Sequence, residues 1–322
     1  MKRLLPVLLA AVWLIFPAAA LDATIHPGFS DTANHPASRD IELAANLGIM
    51  VGTGLDTNGA ALFTPSAAAN KAQLAVVLQR AFQLDYDHIR FIKQPVASDY
   101  YQDVPDESWY AEAVVMCAIN NIFPSGGNFG PDESITRLEV ARAIHASFQA
   151  KGISIPMIML MPVFEDTIAL TQEDMNMVVF VNNTGILTGQ NGFFRPAAIM
   201  NRAELASVLG RCVDLMALGP NDAGLDYQVE LGKTFVVVLP GNPTTGYTWS
   251  LSQAGDPGRV ALLTNFYLPE APADQILIGQ GGKHYWQFKA MQPGSTRLEL
   301  VYARPWESVA PISVFTLPVT VR

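Results

Sequence analysis

The sequence predicts a multidomain chain of two fold classes, with α-helical repeats in its first two thirds and an antiparallel β-sandwich after them. Three observations predict this division. A motif recurs every 65 or 66 residues, apolar residues within it follow a helical period, and beyond residue 225 the period changes to strict alternation. Half of the 322 residues are apolar, which is enough to build real cores.

The overall composition excludes several classes of function. The 20 Lys and Arg residues are outnumbered by 29 Asp and Glu residues, and the net charge of −9 argues against nucleic acid as the main partner. Only two cysteines occur, Cys117 and Cys212, both in apolar helical stretches, where we expect them to pack as small hydrophobes. A disulfide bond between the two cysteines is the alternative. Without a cluster of Cys and His we expect no metal site and no cofactor.

The N-terminus resembles an export signal. Lys2 and Arg3 precede an apolar run from Leu4 to Phe16, and a small-residue exit ends at Ala20. This arrangement predicts a signal peptide over residues 1–20 and a secreted protein with no transmembrane segment in the mature chain. An uncleaved membrane anchor is the alternative.

Each repeat carries a Phe-x-Pro motif with a basic residue six positions after the proline. Apolar residues then recur at steps of four, which predicts an amphipathic helix that starts at the base. The residue before the base is Asn or Thr, and Gln or Glu follows three positions after it, so we expect a capping box in all three repeats. The motifs and bases are 63–65 with Lys71, 129–131 with Arg137, and 194–196 with Arg202.

A shorter helix precedes each Phe-x-Pro motif. We place these helices at residues 39–46, 109–120 and 172–183, each followed by a glycine-rich turn. The unit is therefore helix, glycine-rich loop, helix. Modules repeated at this period pack on their neighbours, because one module alone cannot bury its apolar face.

The repeats resemble the S-layer homology family. The segments that carry the resemblance are Tyr101-Gln102-Asp103-Val104 with Trp109, Ile135-Thr136-Arg137-Leu138-Glu139, Phe164-Glu165-Asp166 and Asn201-Arg202-Ala203-Glu204. We place repeat 1, which lacks the Asp-Val-Trp opening and is degenerate, at 33–84, repeat 2 at 97–150 and repeat 3 at 161–216. The resemblance implies a three-pronged helical spindle attached to a secondary cell-wall polysaccharide.

Six residues are candidates for binding the wall polymer: Lys71, Asp103, Trp109, Arg137, Asp166 and Arg202. A base at the first position of a helix is expected to project outward beside free backbone amides, which together suit an acidic sugar. The alternatives are surface ion pairs from Arg137 or Arg202 to an aspartate, and core packing for Trp109. Residues 21–224 carry 11 basic against 22 acidic residues, so binding must depend on local grooves.

The last hundred residues form a different domain. Residues 217–224 resemble a linker, and the domain is placed at 225–322. Alternating apolar residues predict about seven strands and a β-sandwich. The segments that carry the alternation are 227–231, 247–251, 286–290, 298–302 and 315–321, whereas residues 234–239 form a continuous run typical of a buried strand.

Three loop segments of this domain resemble the chagasin family of cysteine protease inhibitors. They are residues 241–249, 279–288 and 302–307, in the family's order and spacing. The resemblance spans about residues 232–321. It implies an immunoglobulin-like sandwich whose three loops form a wedge that enters the active-site cleft of papain-like cysteine proteases.

The resemblance implies a set of protease-binding residues, which are Asn242, Pro243, Thr244, Thr245, Gly246, Gly279, Gly281, Gly282, Arg304, Pro305 and Trp306. Pro243 restricts φ, and Gly246 permits a tight return of the first loop. We expect Trp306 to face solvent, since it follows a proline in a loop. Trp249, Trp286 and Phe288 follow strand alternation and are expected in the core, whereas His284 is expected at the rim.

No motif for catalysis is present, so we do not expect an enzyme. The five histidines are scattered, and the chain lacks HExxH, a nucleophile elbow and a P-loop. The leading hypothesis is an exported, wall-attached inhibitor of papain-like cysteine proteases that binds reversibly. The alternative is a surface adhesion or envelope-structure protein whose sandwich binds another partner.

Overall fold

The computed structural model describes residues 28–86, 89–158, 160–253, 255–270, 279 and 281–322. The predicted signal peptide lies outside the described residues. Within these ranges, no helix is both long enough and apolar enough to cross a membrane.

The described part of the repeat region contains two α-helices in each repeat. They are α1 Ser38–Asn46, α2 Lys71–Phe82, α3 Ala111–Ile119, α4 Arg137–Ala150, α5 Gln172–Asn183 and α6 Arg202–Met216, with a short hairpin, β1 Gly54–Leu55 and β2 Ala61–Leu62, in repeat 1. The second helix of each repeat begins at the predicted base. Trp109, predicted as the start of a helix, lies instead in the turn before α3.

The capping prediction is correct in two repeats and wrong in one. Complete capping boxes start α4 and α6. In α2 the Asn70 side chain accepts from the Gln73 amide, but no return bond forms. The Gln73 Oε1 atom is instead buried without a hydrogen-bond partner among the described residues. Repeat 1 therefore has only the Asn70 half of the expected capping box.

The three repeats close into a ring. The second helix of each repeat packs on the first helix of the next, so α2 packs on α3, α4 on α5, and α6 returns to α1. One apolar core runs through all three repeats. Cys117 and Cys212 are free and fully buried in this core, so the two cysteines do not form a bridge.

The C-terminal region forms two β-sheets around a second apolar core. Its strands are β3 Tyr227–Val229, β4 Thr234–Gly241, β5 Thr248–Gln253, β6 Val260–Pro269, β7 Gly282–Ala290, β8 Gly294–Ala303 and β9 Ser313–Val321. One sheet has the order β3-β9-β8-β5 and the other β4-β7-β6. The pairing is antiparallel except that β3 runs parallel to β9, which corrects the expectation of a wholly antiparallel fold.

The core expectations for the aromatic residues of this domain are confirmed. Trp249, Trp286 and Phe288 are buried between the two sheets. Strand β6 was not identified from the sequence. The pairing register of β6 with β7 shifts between Leu262 and Thr264. Such a bulge interrupts the regular alternation of side chains between the two faces of the sheet.

The segment 217–224 between the two regions makes hydrogen bonds to the β domain. The amide of Leu218 donates to the carbonyl of Val236, and the amide of Val238 donates to the carbonyl of Leu218. The Gly224 amide donates to the carbonyl of Thr316. This segment therefore extends the open edge of the sheet at β4, as an added strand would.

Candidate functional site

The loop between β4 and β5, residues 242–246, is held by its own hydrogen bonds. Pro243–Thr245 form one turn of 3-10 helix, and the Asn242 side chain accepts from the Thr244 hydroxyl at 2.6 Å and from the Thr244 amide at 3.2 Å. The Thr245 hydroxyl donates to the Asn242 carbonyl at 2.6 Å. Gly246 closes the turn with a left-handed φ of +82°, which favours glycine because it has no Cβ.

This first loop is tied to the second loop, the connection between β6 and β7, of which the structure describes residues 270, 279 and 281. The side-chain amide of Asn242 donates to the Gly279 carbonyl at 2.8 Å. A Cβ on Gly281 would lie 3.2 Å from the carbonyl oxygen of Gly241. The two loops therefore approach each other closely at their backbones.

Gly282 does not lie in an exposed loop, which corrects its predicted place. It is the first residue of β7 and is buried, and a Cβ there would lie 2.2 Å from the carbonyl oxygen of Leu268. Glycine at this position lets β6 approach β7. The predicted contact with a protease therefore lacks an exposed surface at Gly282.

The third loop, residues 304–306, packs on the first. The Arg304 Nε atom donates to the Thr245 carbonyl at 3.3 Å, its Nη1 donates to Glu307 at 2.8 Å, and its guanidinium lies 4.6 Å from the centre of the Tyr247 ring. Trp306 is 69% exposed, as expected, yet the edge of its ring lies against Gly246. A Cβ on Gly246 would be 2.8 Å from that ring.

An aromatic base supports the three loops. The backbone amide of Asn242 donates to the Tyr302 hydroxyl at 2.7 Å. The Tyr302 ring stacks on Trp249 with ring centroids 5.1 Å apart. The Trp249 indole donates to the Pro240 carbonyl at 2.8 Å. The loops are therefore fixed to the sandwich as well as to one another.

The exposed residues of the three loops lie at one end of the domain, which we call the three-loop end. The first and third loops present Pro243, Thr244, Thr245, Pro305 and Trp306 to solvent. These side chains offer hydroxyl groups, rigid prolines and one large aromatic ring. Such a surface can bind by shape and by hydrogen bonds.

His284 was expected at the rim, and this is wrong. It is only 9% exposed and stacks on Trp286 with ring centroids 4.8 Å apart. Burial disfavours the charged imidazolium and lowers the pKa of His284 to about 4. The side chain packs as a neutral ring in β7.

In the repeats, the candidate aspartates hold the Phe-x-Pro motifs. Asp103 accepts from the amides of Phe129 and Gly130 at 2.6 and 2.8 Å. Asp166 accepts from the amides of Phe194 and Arg195 at 2.9 and 2.7 Å. Neither carboxylate forms the ion pair with Arg137 or Arg202 that the sequence left open.

Repeat 1 has the same contact, which sequence reasoning missed. Asp31 accepts from the amides of Phe63 and Thr64 at 2.9 and 2.7 Å. In all three repeats the middle residue of Phe-x-Pro has a positive φ, which brings two successive amides to one carboxylate. The spacing conceals the match, since Asp31 precedes its motif by 32 residues and Asp103 precedes its motif by only 26.

The three bases connect neighbouring repeats. Arg137 donates to the carbonyls of Phe194 at 2.8 Å and Thr188 at 3.0 Å. Arg202 donates to the carbonyls of Phe63 at 2.9 Å and Val51 at 2.8 Å, and its guanidinium lies 4.4 Å from the Phe63 ring centre. The bases therefore do not project freely outward, and Arg202 is only 6% exposed.

Lys71 follows the same circular order with a weaker contact. Its ammonium pairs with Glu133 of repeat 2 and lies 3.9 Å from Glu139. The helix amides beside the bases are also occupied, because the amides of Lys71 and Ala72 donate to the carbonyls of Glu133 and Pro131. The amides at the starts of α4 and α6 donate in the same way to the next repeat. The expectation of free amides for an acidic sugar is therefore wrong.

Trp109 differs from the other candidates in the repeats. Its side chain is 67% exposed, and its ring lies edge to face with Tyr110 at 5.4 Å. This excludes the alternative of core packing. Trp109 is therefore available to a partner in solution.

Comparisons with known proteins agree with the family resemblance of each of the two regions. The model of the chagasin family peptidase inhibitor I42 matches residues 228–321. The model of the S-layer homology domain matches residues 28–75, which begin before the predicted start of repeat 1 at residue 33, and residues 100–141 within repeat 2. The first of these matches includes Asp31.

Two relatives each match a third of this chain or less. The chain is 31% identical to Amoebiasin-1 of Entamoeba histolytica over 108 residues, which are 33% of this chain and 100% of that protein. It is 29% identical to Chagasin of Trypanosoma cruzi over 86 residues, which are 26% of this chain and 76% of that protein.

The crystal structure of the cysteine protease inhibitor EhICP2 from Entamoeba histolytica also matches, at 24% identity and a TM-score of 0.30, over 33% of this chain and 94% of that one. The motifs of the three-loop end and the match to Amoebiasin-1 over its whole length agree. This chain belongs to the chagasin family of peptidase inhibitors and carries S-layer homology repeats ahead of its inhibitor domain.

Proposed function

We propose that this protein is an exported, wall-attached inhibitor of papain-like cysteine proteases. The observation that carries the proposal is the three-loop end, where Asn242 bonds to the second loop and Arg304 bonds from the third loop to the first. The domain is not an enzyme in this proposal. It inhibits by occupying the cleft of its target.

The first loop enters the protease cleft, and the flanking loops hold either side of it. Pro243 restricts the backbone, and the bonds of Asn242 fix the turn before any partner arrives. Such a preorganised loop loses little conformational entropy on binding. Trp306 and Arg304 supply an aromatic ring and a guanidinium, residue types that dominate interface energies.

Inhibition is reversible in this proposal. Cys117 and Cys212 are completely buried, and burial raises the pKa of both thiols. Neither thiol is therefore available to attack the protease cysteine or to form a mixed disulfide with it.

The test is titration of papain with the full chain. We expect competitive, reversible inhibition that persists in the Cys117→Ser and Cys212→Ser variants. Intact mass spectrometry of the mixture should show the two unmodified proteins. A covalent adduct would overturn reversibility. Complete absence of inhibition would favour the adhesion or envelope-structure hypothesis for the β domain.

We further propose that the repeat ring forms the spindle implied by the S-layer homology motifs and attaches to a secondary cell-wall polysaccharide. Trp109 is the candidate best placed to stack on a sugar ring, because it is the exposed one. Lys71, Arg137 and Arg202 shape the grooves by holding neighbouring repeats together. Asp103 and Asp166 contribute by fixing the Phe-x-Pro motif of their own repeat. Sedimentation with purified cell walls tests this, and Trp109→Ala should weaken it with an unchanged melting temperature. Equal sedimentation of the variant and the wild type would remove Trp109 from the binding site.

A further inference from the structure

The repeat ring covers the outer face of the sheet β4-β7-β6. Phe266, Leu268 and Tyr285 of this sheet are at most 4% exposed and belong to the same apolar core as the helices. Val236 and Val238 of β4 also pack against that core. Because the opposite face of this sheet lines the core of the sandwich, the sheet is buried on both sides.

A polar cluster lies within this contact. Asp214 of α6 accepts from the Lys283 ammonium at 2.7 Å and from the Tyr285 hydroxyl at 2.9 Å. Arg39 of α1 donates to the same Tyr285 hydroxyl at 3.1 Å. Burial, together with the nearby Asp214 carboxylate, raises the pKa of Tyr285, so the hydroxyl keeps its proton and can donate to Asp214.

This cluster lies at the base of the second inhibitor loop. Strand β6 ends at Pro269, which pairs with Gly282 at the start of β7. The Arg39 Nε atom donates to the Pro269 carbonyl at 3.0 Å, and Asp214 holds Lys283, the next residue after Gly282. Both strand ends that lead to the second loop are therefore bonded to the repeat ring.

The same strand ends adjoin the first loop. Gly282 also pairs with Gly241, the residue that precedes Asn242. Asn242 in turn donates to the Gly279 carbonyl in the second loop. A shift of the β7 start would therefore change the distance between the two loops that are proposed to enter and flank the protease cleft.

We propose that Arg39 and Asp214, which belong to the repeat ring, are positioning residues of the inhibitor that hold the second loop in register with the first. This rests on the proposed inhibitory function. The repeats then act as part of the inhibitor itself, in addition to any attachment that they provide.

The far end of the same interface offers a matched control. Gln83, which follows α2, donates to the carbonyl of Thr234 at 2.7 Å and accepts from its amide at 2.6 Å. Thr234 is the first residue of β4, whereas Gly241 at the three-loop end is its last. Loss of the Gln83 contact loosens the same interface without touching the second loop.

The experiment compares Asp214→Asn and Gln83→Ala in the full chain. Asp214→Asn should weaken inhibition of papain about tenfold, measured well below both melting temperatures, and Gln83→Ala should change it less than twofold. We expect Lys283→Met to resemble Asp214→Asn. Lys283→Arg, which keeps the charge, should inhibit as the wild type does. Hydrogen exchange of a peptide covering residues 281–290 should accelerate only in Asp214→Asn and Lys283→Met.

Three outcomes would overturn the proposal. The first is equal inhibition by Asp214→Asn and the wild type. The second is an equal loss of inhibition in Asp214→Asn and Gln83→Ala. The third is weaker inhibition by Lys283→Arg than by the wild type. If the wild-type chain does not inhibit papain, the proposed function fails instead. The hydrogen exchange of residues 281–290 then still decides whether Asp214 holds the start of β7.

Discussion

Two regions of this molecule place an arginine over an aromatic ring, with different consequences. In the repeats, Arg202 lies 4.4 Å from the centre of Phe63 and is almost fully buried. At the three-loop end, Arg304 lies 4.6 Å from the centre of Tyr247 beside the exposed Trp306. Residue type alone therefore does not identify a binding contact. What decides is whether another part of the chain covers the pair.

The largest expected effect comes from Gly246→Val, which breaks the three-loop end. A β-branched residue strains the left-handed backbone, and its Cβ would meet the Trp306 ring at 2.8 Å. We expect inhibition of papain to fall by more than a hundredfold, on the order of 3 kcal/mol. The measurement is the inhibition constant of the full-length variant.

Gly232→Val is the control for this change. Gly232 has a similar φ of +83°, and a Cβ there meets nothing within 4 Å. We expect Gly232→Val to lower the melting temperature as Gly246→Val does and to leave the inhibition of papain unchanged. If both valine variants inhibit as the wild type does, the first loop does not enter the cleft.

Trp306→Ala should cost about 2–4 kcal/mol of affinity for papain, the range of interface hot spots. The melting temperature should change little, because the side chain is 69% exposed. Trp109→Ala is the matched control, since Trp109 is 67% exposed but lies in the repeats. Inhibition constants for both variants provide the comparison. Unchanged inhibition by Trp306→Ala would contradict the wedge model.

Arg202→Met tests the buried arginine of this pair. It leaves the carbonyls of Phe63 and Val51 without their donor, so we expect a loss of about 2–3 kcal/mol of unfolding free energy. Inhibition of papain should persist below the melting temperature. Lys71→Met should cost less than ~1 kcal/mol, because its ion pair reaches the exposed Glu133. Equal losses in urea denaturation would contradict the proposed difference between the two bases.

A smaller loss of stability than that of Arg202→Met is expected for Asp103→Asn, at about 1 kcal/mol, because the amide retains one acceptor oxygen for two backbone donors. Although desolvation opposes it, bonding to the amides of Phe129 and Gly130 lowers the pKa of Asp103. A carboxylate with a lowered pKa stabilises the fold above its unfolded pKa and loses that contribution as pH falls through the folded pKa. The variant should therefore lose less stability than the wild type on acidification below about pH 4. Thermal melts between pH 7 and pH 3 measure this, and parallel curves would contradict it.

The elements predicted most accurately are those with local signals. The second helix of every repeat starts at its predicted base, because Asn70, Thr136 and Asn201 each cap the helix from one position before it. The Phe-x-Pro motifs and the strands with clear alternation were found for the same reason. Asp31 was missed because the insertion that forms β1 and β2 changes its distance from the motif.

Strand β6 shows a different reason for failure. Val260 lies in the core of the sandwich, whereas Phe266 and Leu268 of the same strand lie in the core of the repeats. The bulge near Leu262 exchanges the two faces, so no single alternation spans the strand. The burial of His284 was missed on comparable grounds, since its sequence neighbours do not show what lies against it.

Sequence alone was sufficient to place the start of the second helix in each repeat and the residue types that meet at the three-loop end. Helix capping, hydrophobic periodicity and turn chemistry act over a few residues, so they can be recognised from one amino-acid sequence. Three features depend on contacts between distant segments: Arg202 is buried between repeats, Gly282 belongs to a strand, and Arg39 and Asp214 contact the inhibitor domain. Burial and partner choice depend on segments far apart in the chain, because free energy is gained only where distant surfaces exclude water together.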